Sequence, residues 1–390
     1  MSLSLYIHIP FCQRKCHYCD FNTYAGRSSQ HEALVQALVQ DIWQTGDEMG
    51  NPAVQTVFLG GGTPTVLQQR HFFMLIDGIT GGFDLSEDTE FTSEANPGTV
   101  DASSFEILRI LGVDRLSLGV QSFDDEELRF LGRIHSADEA RDAFHLARRV
   151  GFKNINLDLI FGLPQQKPET WRKTLQSAID LNPEHLSLYS LTVEPGTALA
   201  AWVEQGLVPA PDPDLAADLY EMAQEMLAAA GFVQYEISNW ARGPVGDDLL
   251  PRFACRHNVV YWRNQPYLGF GPGAHSWFGR VRRAVVADVG EYIRRVQSGE
   301  SYWAMEEPIS QELEMAETMM LGLRLVQTGV ERASFQQRFG IDVTEAYPQE
   351  ISSLLAAGLI ELTPTRVRLT PRALLIGNEV FAAFLPESAN

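Results

Sequence analysis

The sequence predicts an α/β fold built on a parallel sheet, followed by a small α+β unit. Three observations predict it. Six short apolar runs in the first half each precede a segment with helical spacing, an alternation that gives parallel strands with helices outside them. At residues 209–213 (PAPDP) the composition shifts and reads as a linker or turn. Residues 301–390 then follow a different, helix–hairpin–helix order.

The strand-like runs are 3–10, 55–59, 89–95, 115–121, 154–161 and 185–191. Between the first two, Leu34, Val35, Leu38, Val39, Ile42 and Trp43 repeat at helical spacing. Ser29 with Glu32 three residues later reads as a capping box opening that helix. Further helices are predicted over 68–76, 103–111, 137–150 and 168–181, the last with a proline in its first turn. An open doubly wound sheet and a curved partial barrel both satisfy this pattern. Beyond the linker come a helix at 215–230, a strand at 233–237 and a loop at 243–251. Helices at 312–327 and 344–357, an alternating hairpin at 359–369 and a last helix at 371–384 resemble a winged helix. The units expected are 1–240, a connecting segment 241–300, and 301–390.

With 50 Asp+Glu against 30 Lys+Arg, the 390-residue chain carries a formal charge of −20. Nucleic-acid binding needs clustered basic residues and is not expected, the winged-helix resemblance notwithstanding. No apolar run reaches the ~18 residues of a membrane span. The first strand-like run starts close to Met1, leaving no room for a signal peptide, so a cytoplasmic location is expected.

The four cysteines are Cys12, Cys16, Cys19 and Cys255, three of them within one short loop after the first strand. A disulfide framework would spread them along a short secreted chain. Clustered thiols point to a metal or redox site. A zinc knuckle would need His17 or Cys255 as fourth ligand, and structural zinc sites prefer paired knuckles. Three thiolates also suit a [4Fe–4S] cluster with one iron left open to a ligand. Gly60-Gly61-Gly62-Thr63-Pro64 follows the second strand. It is either a tight turn or a place where backbone approaches a ligand closely. Ligands of β/α folds sit at the C-terminal ends of the strands. Glu94 and Gln121 fall at such ends, Asp158 lies inside the fifth strand, and Arg133 follows a short helix. Singly each reads as a structural polar contact, but together they favour a zwitterionic ligand.

CxxxCxxC, GGGTP, ExNP, GVQS and LDLIFGLP, in that order, resemble the radical S-adenosylmethionine superfamily, in the wording of its oxygen-independent coproporphyrinogen oxidase branch. The resemblance implies a partial (β/α)6 barrel. It implies a [4Fe–4S] cluster on Cys12, Cys16 and Cys19. It implies one or two S-adenosylmethionine molecules contacted by Tyr6, Tyr18, Gly61, Gly62, Thr63, Glu94, Gln121, Arg133 and Asp158.

Two features depart from the oxidases. Phe21 stands where they carry a further cysteine, and the chain lacks their longer segment ahead of the cluster. A third feature, His257-Asn258-Val259-Val260-Tyr261-Trp262 (HNxxYW), resembles the hallmark of HemW-type haem chaperones. That resemblance implies haem binding through His257, Asn258, Tyr261 and Trp262. It also implies delivery to haem-protein acceptors, membrane-bound respiratory enzymes among them. Either His257 or Cys255 could ligate iron, and Arg252, Arg256 and Arg263 suit propionates. The plainer alternative is a structural hairpin with buried aromatics and a satisfied histidine. The alternative function is radical decarboxylation of coproporphyrinogen III propionates.

Overall fold

The computed structural model describes residues 3–386. Six parallel strands run in chain order: β1 (Leu3–Ile9), β2 (Ala53–Gly61), β3 (Asp84–Ala95), β4 (Arg115–Gln121), β5 (Asn154–Phe161) and β6 (His185–Ser190). Each pairs with the next. The helices between them are α1 (His31–Glu48), α2 (Gln69–Gly82), α3 (Ala102–Ile110), α4 (Asp125–Leu131), α5 (Ala137–Val150) and α6 (Pro168–Asp180).

Strand alternation sets the architecture. Ile155, Leu157 and Leu159 of β5 join Leu116, Leu118 and Val120 of β4 in the apolar core with the helices. Such side chains contribute about 1.5–3 kcal/mol each when fully buried. Between them, Ser117, Asn156, Asp158 and Ser187 point to the other face, where they hydrogen-bond to one another across the strands. A sheet covered by helices on both faces would be apolar at nearly every position. A polar inner face instead belongs to an incomplete barrel, the curved alternative.

The sheet continues beyond its parallel part. After α7 (Ala198–Glu204) and α8 (Pro213–Ala229), β7 (Val233–Glu236) and β8 (Asn239–Ala241) add antiparallel beside β6. At the opposite edge β9 (Tyr267–Phe270) lies parallel to β1, followed by antiparallel β10 (His275–Phe278), β11 (Val281–Val285) and β12 (Trp303–Pro308). Among the described residues the sheet has twelve strands. The segment 241–300, expected as a connection, thus supplies sheet strands as well as α9 (Arg256–Trp262) and α10 (Val289–Ser298).

The C-terminal unit comprises α11 (Gln311–Gly322), β13 (Val330–Glu331), α12 (Arg332–Phe339), α13 (Val343–Ala346), α14 (Pro348–Ala356), β14 (Ile360–Leu362), β15 (Arg366–Leu369) and α15 (Gly377–Ala382). It has its own core around Met319, Phe335, Val367 and Phe381.

Three local expectations change. Ser29 does not cap α1: it lies inside a 3-10 turn, Gln30 takes the N-cap position, and Glu32 instead meets His71 at 3.0 Å. The helix expected at 344–357 breaks at Tyr347, because a residue before proline is pushed out of helical geometry. The last helix begins as a 3-10 segment, Pro371–Ile376.

Candidate functional site

The first shared feature is the loop that follows β1. Phe11–Cys12 pairs with Tyr24–Ala25, closing the cysteine loop at its base. Its middle is pinned from the side: the His17 backbone N–H donates to Leu131 O (3.0 Å), and Leu199 N–H donates to His17 O (2.9 Å). Gly132, with φ +77, ends α4 directly beneath the His17 ring, where a Cβ would come within 2.9 Å.

The glycine triplet clamps this loop. Gly62 N–H donates to Ile9 O (2.9 Å) and Thr63 N–H to Phe11 O (2.8 Å). Thr63 Oγ1 lies 3.6 Å from Cys12 Sγ. A Cβ on Gly62 would sit 2.5 Å from Phe11 O, and one on Gly61 (φ +102) 2.3 Å from the His8 ring. Gly62 therefore has no room for a side chain where it seats the cysteine loop, whatever ligand it also meets.

Cys12, Cys16 and Cys19 line one cavity of about 380 Å³. Tyr18, Gly61, Gly62, Thr63, Glu94, Gln121, Arg133 and Asp158 line it too. Tyr6, the ninth cofactor residue expected, lines an adjoining cavity that shares Gly61 and Glu94, and its hydroxyl lies 2.9 Å from His8 Nδ1. Sequence reasoning missed Ser117, Tyr189, Ser190, Thr192 and Glu194 on the same wall. The polar positions of β4 and β6 and the segment after β6 were the available signal.

The electrostatics suit a zwitterion beside a cationic centre. Burial and the nearby Asp158 raise Glu94 to about 8, even though Gly61 N–H donates to it at 3.0 Å. Burial also raises Asp158, despite hydrogen bonds from Ser117 and Asn156 at 2.9 Å each. Two buried carboxylates short of positive charge favour a cationic group between them. On the other side Arg133 approaches Cys16 Sγ (3.4 Å) and Gly119 O (2.5 Å), while its buried Nε has no partner. Gln121 holds a left-handed φ of +70 at a bulge in β4, the strained conformation that gathers at functional sites.

The sulfur set fits a [4Fe–4S] cluster. Burial raises the Cys12 and Cys19 thiols, so a cation is what they need to ionise. Among the described residues, no three Cys, His, Asp or Glu side chains converge on a single-ion site. A tetrahedral zinc would draw its sulfurs to about 3.8 Å apart, given ~2.3 Å bonds. Three thiols that line one cavity are a donor set that a [4Fe–4S] cluster accepts, with one iron left open. Cys255 takes no part: it is buried beside Glu90 (Sγ to Oε1 3.7 Å) and pushed up to about 12 by burial.

The HNxxYW segment forms helix α9, not a hairpin. Glu90 accepts the N–H groups of Arg256 and His257 at its start (3.0 Å each). His257 is buried with both ring nitrogens engaged, Nδ1 at 2.8 Å from Thr56 Oγ1 and Nε2 at 2.9 Å from the Tyr261 hydroxyl. Burial lowers it to about 3, so the ring is neutral. The four haem candidates do not share one cavity. Tyr261 lines the cavity of Tyr6, whereas Trp262 lines another, under the C-terminal unit, and stacks on Arg324 at 4.4 Å. Asn258 is half-buried on α9, and neither it nor His257 lines these cavities.

A partial parallel barrel with a three-cysteine loop after its first strand defines a radical S-adenosylmethionine protein. The radical SAM superfamily pattern matches residues 6–178, and the HemN C-terminal domain pattern matches 309–376. Heme chaperone HemW of Bacillus subtilis (strain 168) is 39% identical over 386 residues, covering 98% of this chain and 99% of that protein. Heme chaperone HemW of Escherichia coli (strain K12) is 44% identical over 275 residues, 70% of each chain. The chain belongs to the HemW family. Coproporphyrinogen III oxidase (HemN) from Escherichia coli superposes with a TM-score of 0.83 at 23% identity, over 98% of this chain and 90% of that one, and so shares the fold. Among the described residues no helix is long and apolar enough to cross a membrane.

Proposed function

We propose that this protein is a haem chaperone that binds haem and hands it to acceptor haem proteins, membrane-bound respiratory enzymes among them, from the cytoplasm. The kinship along nearly the whole chain with heme chaperone HemW of Bacillus subtilis carries this reading. Cys12, Cys16 and Cys19 hold a [4Fe–4S] cluster, and one or two S-adenosylmethionine molecules occupy the adjoining cavities. When bound, that pair supplies reductive cleavage of a sulfonium by one electron.

The chain's own residues do the positioning. The Gly61–Thr63 backbone fixes the cysteine loop against β1. Glu94 and Asp158 offer acceptors to a ligand ammonium, while Gln121 and the free Nε of Arg133 face a ligand carboxylate. Tyr18 and Ile160 add apolar surface to the cavity wall.

Anaerobic reconstitution followed by parallel haem titration and porphyrinogen assay tests the reading. Stoichiometric haem binding, transfer to a haem-free acceptor and no protoporphyrinogen are expected. Haem binding no better than that of an unrelated control protein would end it. Formation of protoporphyrinogen would assign the oxidase activity instead.

A further inference from the structure

The outer side of α9, away from His257, holds a cleft that the site above does not use. A cavity of about 480 Å³ lies between α9 and the loop 243–251. That volume falls in the range of small-molecule sites. Its apolar wall is Val245, Leu250, Val259 and Val260. Its polar wall sets three guanidinium groups, Arg252, Arg256 and Arg263, and the Gln55 amide against one carboxylate, Asp248. Arg263 pairs with Asp248, whose carboxylate also accepts the Leu250 N–H. Among the described residues Arg252 has no carboxylate partner, and Arg256 reaches only a backbone oxygen, that of Asp88. Gln55 Nε2 is buried without a partner. A buried donor left unpaired costs about 1–3 kcal/mol, so it marks a place where an acceptor belongs. The chain as a whole carries −20, which makes this local excess of positive charge selective.

A second cavity, of about 650 Å³, adjoins the first through Asp248, Arg263 and Gln265 and leads to Trp262. The indole Nε1 of Trp262 is likewise buried without a partner. The two cavities together present apolar side chains, five guanidinium groups against the three carboxylates of Asp247, Asp248 and Glu331, and two orphan donors. An amphipathic ligand that carries carboxylates satisfies all of these at once.

We infer that this cleft on the outer side of α9 is the haem seat, with the propionates on Arg252 and Arg256 and the macrocycle running towards Trp262. The inference rests on the haem-chaperone reading and gives it a location. Its chemistry is unusual in one respect. No His, Cys, Met or Tyr is found among the described residues that line either cavity, so nothing here ligates the iron. Recognition runs through the carboxylates and the ring faces. The iron stays free for an acceptor's own ligand, and release needs no protein–iron bond to break.

The full-length protein titrated with haem, metal-free protoporphyrin IX and haem dimethyl ester tests this. Wild type binds haem and protoporphyrin IX with Kd values within about threefold of each other, and the dimethyl ester about tenfold more weakly. The double variant Arg252→Glu/Arg256→Glu, at two exposed positions, weakens haem and protoporphyrin IX alike by about tenfold or more. Its circular dichroism and melting curve stay those of wild type. If wild type binds haem but the double variant binds it equally, or protoporphyrin IX fails to bind, the cleft is not the seat and the chaperone reading stands. If wild type binds no haem at all, the chaperone reading itself falls.

Discussion

Asp158 is joined to Cys255, the residue before α9, by an unbroken hydrogen-bonded chain through the barrel. Cys255 N–H donates to the Tyr235 hydroxyl (3.2 Å), which lies 2.9 Å from His185 Nε2. His185 Nδ1 meets Asn156 Oδ1 at 2.7 Å, and Asn156 Nδ2 donates to Asp158 at 2.9 Å. Burial holds His185 neutral, so one ring nitrogen donates and the other accepts. Since Asn156 Oδ1 can only accept, every donor in the chain points towards Asp158. The register that pairs Asn156 with His185 and Asp158 with Ser187 makes the chain possible.

Removing the middle link tests whether the chain orients the Asp158 carboxylate. Tyr235→Phe leaves His185 Nε2 and Cys255 N–H unpaired and costs about 1–3 kcal/mol of stability. It also weakens S-adenosylmethionine binding to the reconstituted protein, measured by equilibrium dialysis. Tyr220→Phe removes a buried hydroxyl that serves Ile237 O and Gln234, outside the chain. That variant loses stability without losing cofactor affinity. Equal cofactor affinity in both variants would show the chain to be structural only.

Replacing Cys16 with Ser removes one of three sulfurs and the contact of Arg133 with it. After anaerobic reconstitution the variant lacks the brown iron–sulfur absorbance and does not cleave S-adenosylmethionine. Haem affinity is unchanged, because the cleft outside α9 shares no residue with the cysteine cavity. Full cluster absorbance in the variant would refute the ligand assignment.

The choice between open sheet and partial barrel was already written in the strands. LSLGVQ, NINLDLIF and HLSLYS place polar residues at most alternate positions, Gly119 and Ile160 excepted, and the structure turns Ser117, Asn156, Asp158 and Ser187 inward to hydrogen-bond across β4, β5 and β6. Reading Asp158 alone as the oddity hid the pattern. The cysteine loop, Gly61–Thr63 and the strand-end residues were legible because each sits where a β/α unit presents side chains. The path of β9–β12 was not legible: these strands are short, and Arg282, Arg283, Glu306 and Glu307 give them the look of loops. The HNxxYW segment was legible as a motif. Its histidine, however, faces Thr56 on β2, a contact across 201 residues that no local pattern announces.

Asp41 ties α1 to α10 and to the segment that leads into β12. Its carboxylate accepts the hydroxyls of Tyr292 and Tyr302, both at 2.6 Å, with Thr45 and Glu48 nearby on its own helix. Burial raises it from 3.8 to about 6. Between those two values the folded state binds more protons than the unfolded one, so this group's contribution falls as pH rises. Relative to Asp41→Asn, wild type loses about 3 kcal/mol between about pH 3.5 and pH 7, because each tenfold gain in proton affinity on folding is worth ~1.4 kcal/mol. Urea denaturation of both proteins across that range measures it. A difference independent of pH would mean that Asp41 is charged in the folded state throughout.

The last prediction separates clamp from flexibility in the glycine triplet. Gly62→Ala places a Cβ against Phe11 O, Ile9 O and Phe11 N, at 2.5, 2.8 and 2.9 Å. All three are backbone atoms that cannot swing aside. The substitution must therefore part the loop after β2 from the strand that ends at Cys12, breaking the bonds from Gly62 and Thr63. Overpacking of this kind costs about 1–3 kcal/mol, and here the strain falls on the first cysteine. Iron and sulfide per protein after anaerobic reconstitution are expected to drop by about half, because ~1 kcal/mol of lost binding is about fivefold in affinity and takes a site about four-fifths filled to below one-half. Gly112→Ala is the control: its φ is +92 and nothing lies within 4 Å of the added Cβ. It carries the backbone strain alone, at about 1 kcal/mol, and keeps its cluster. If both variants load iron equally, the triplet serves the turn and not the cysteine loop.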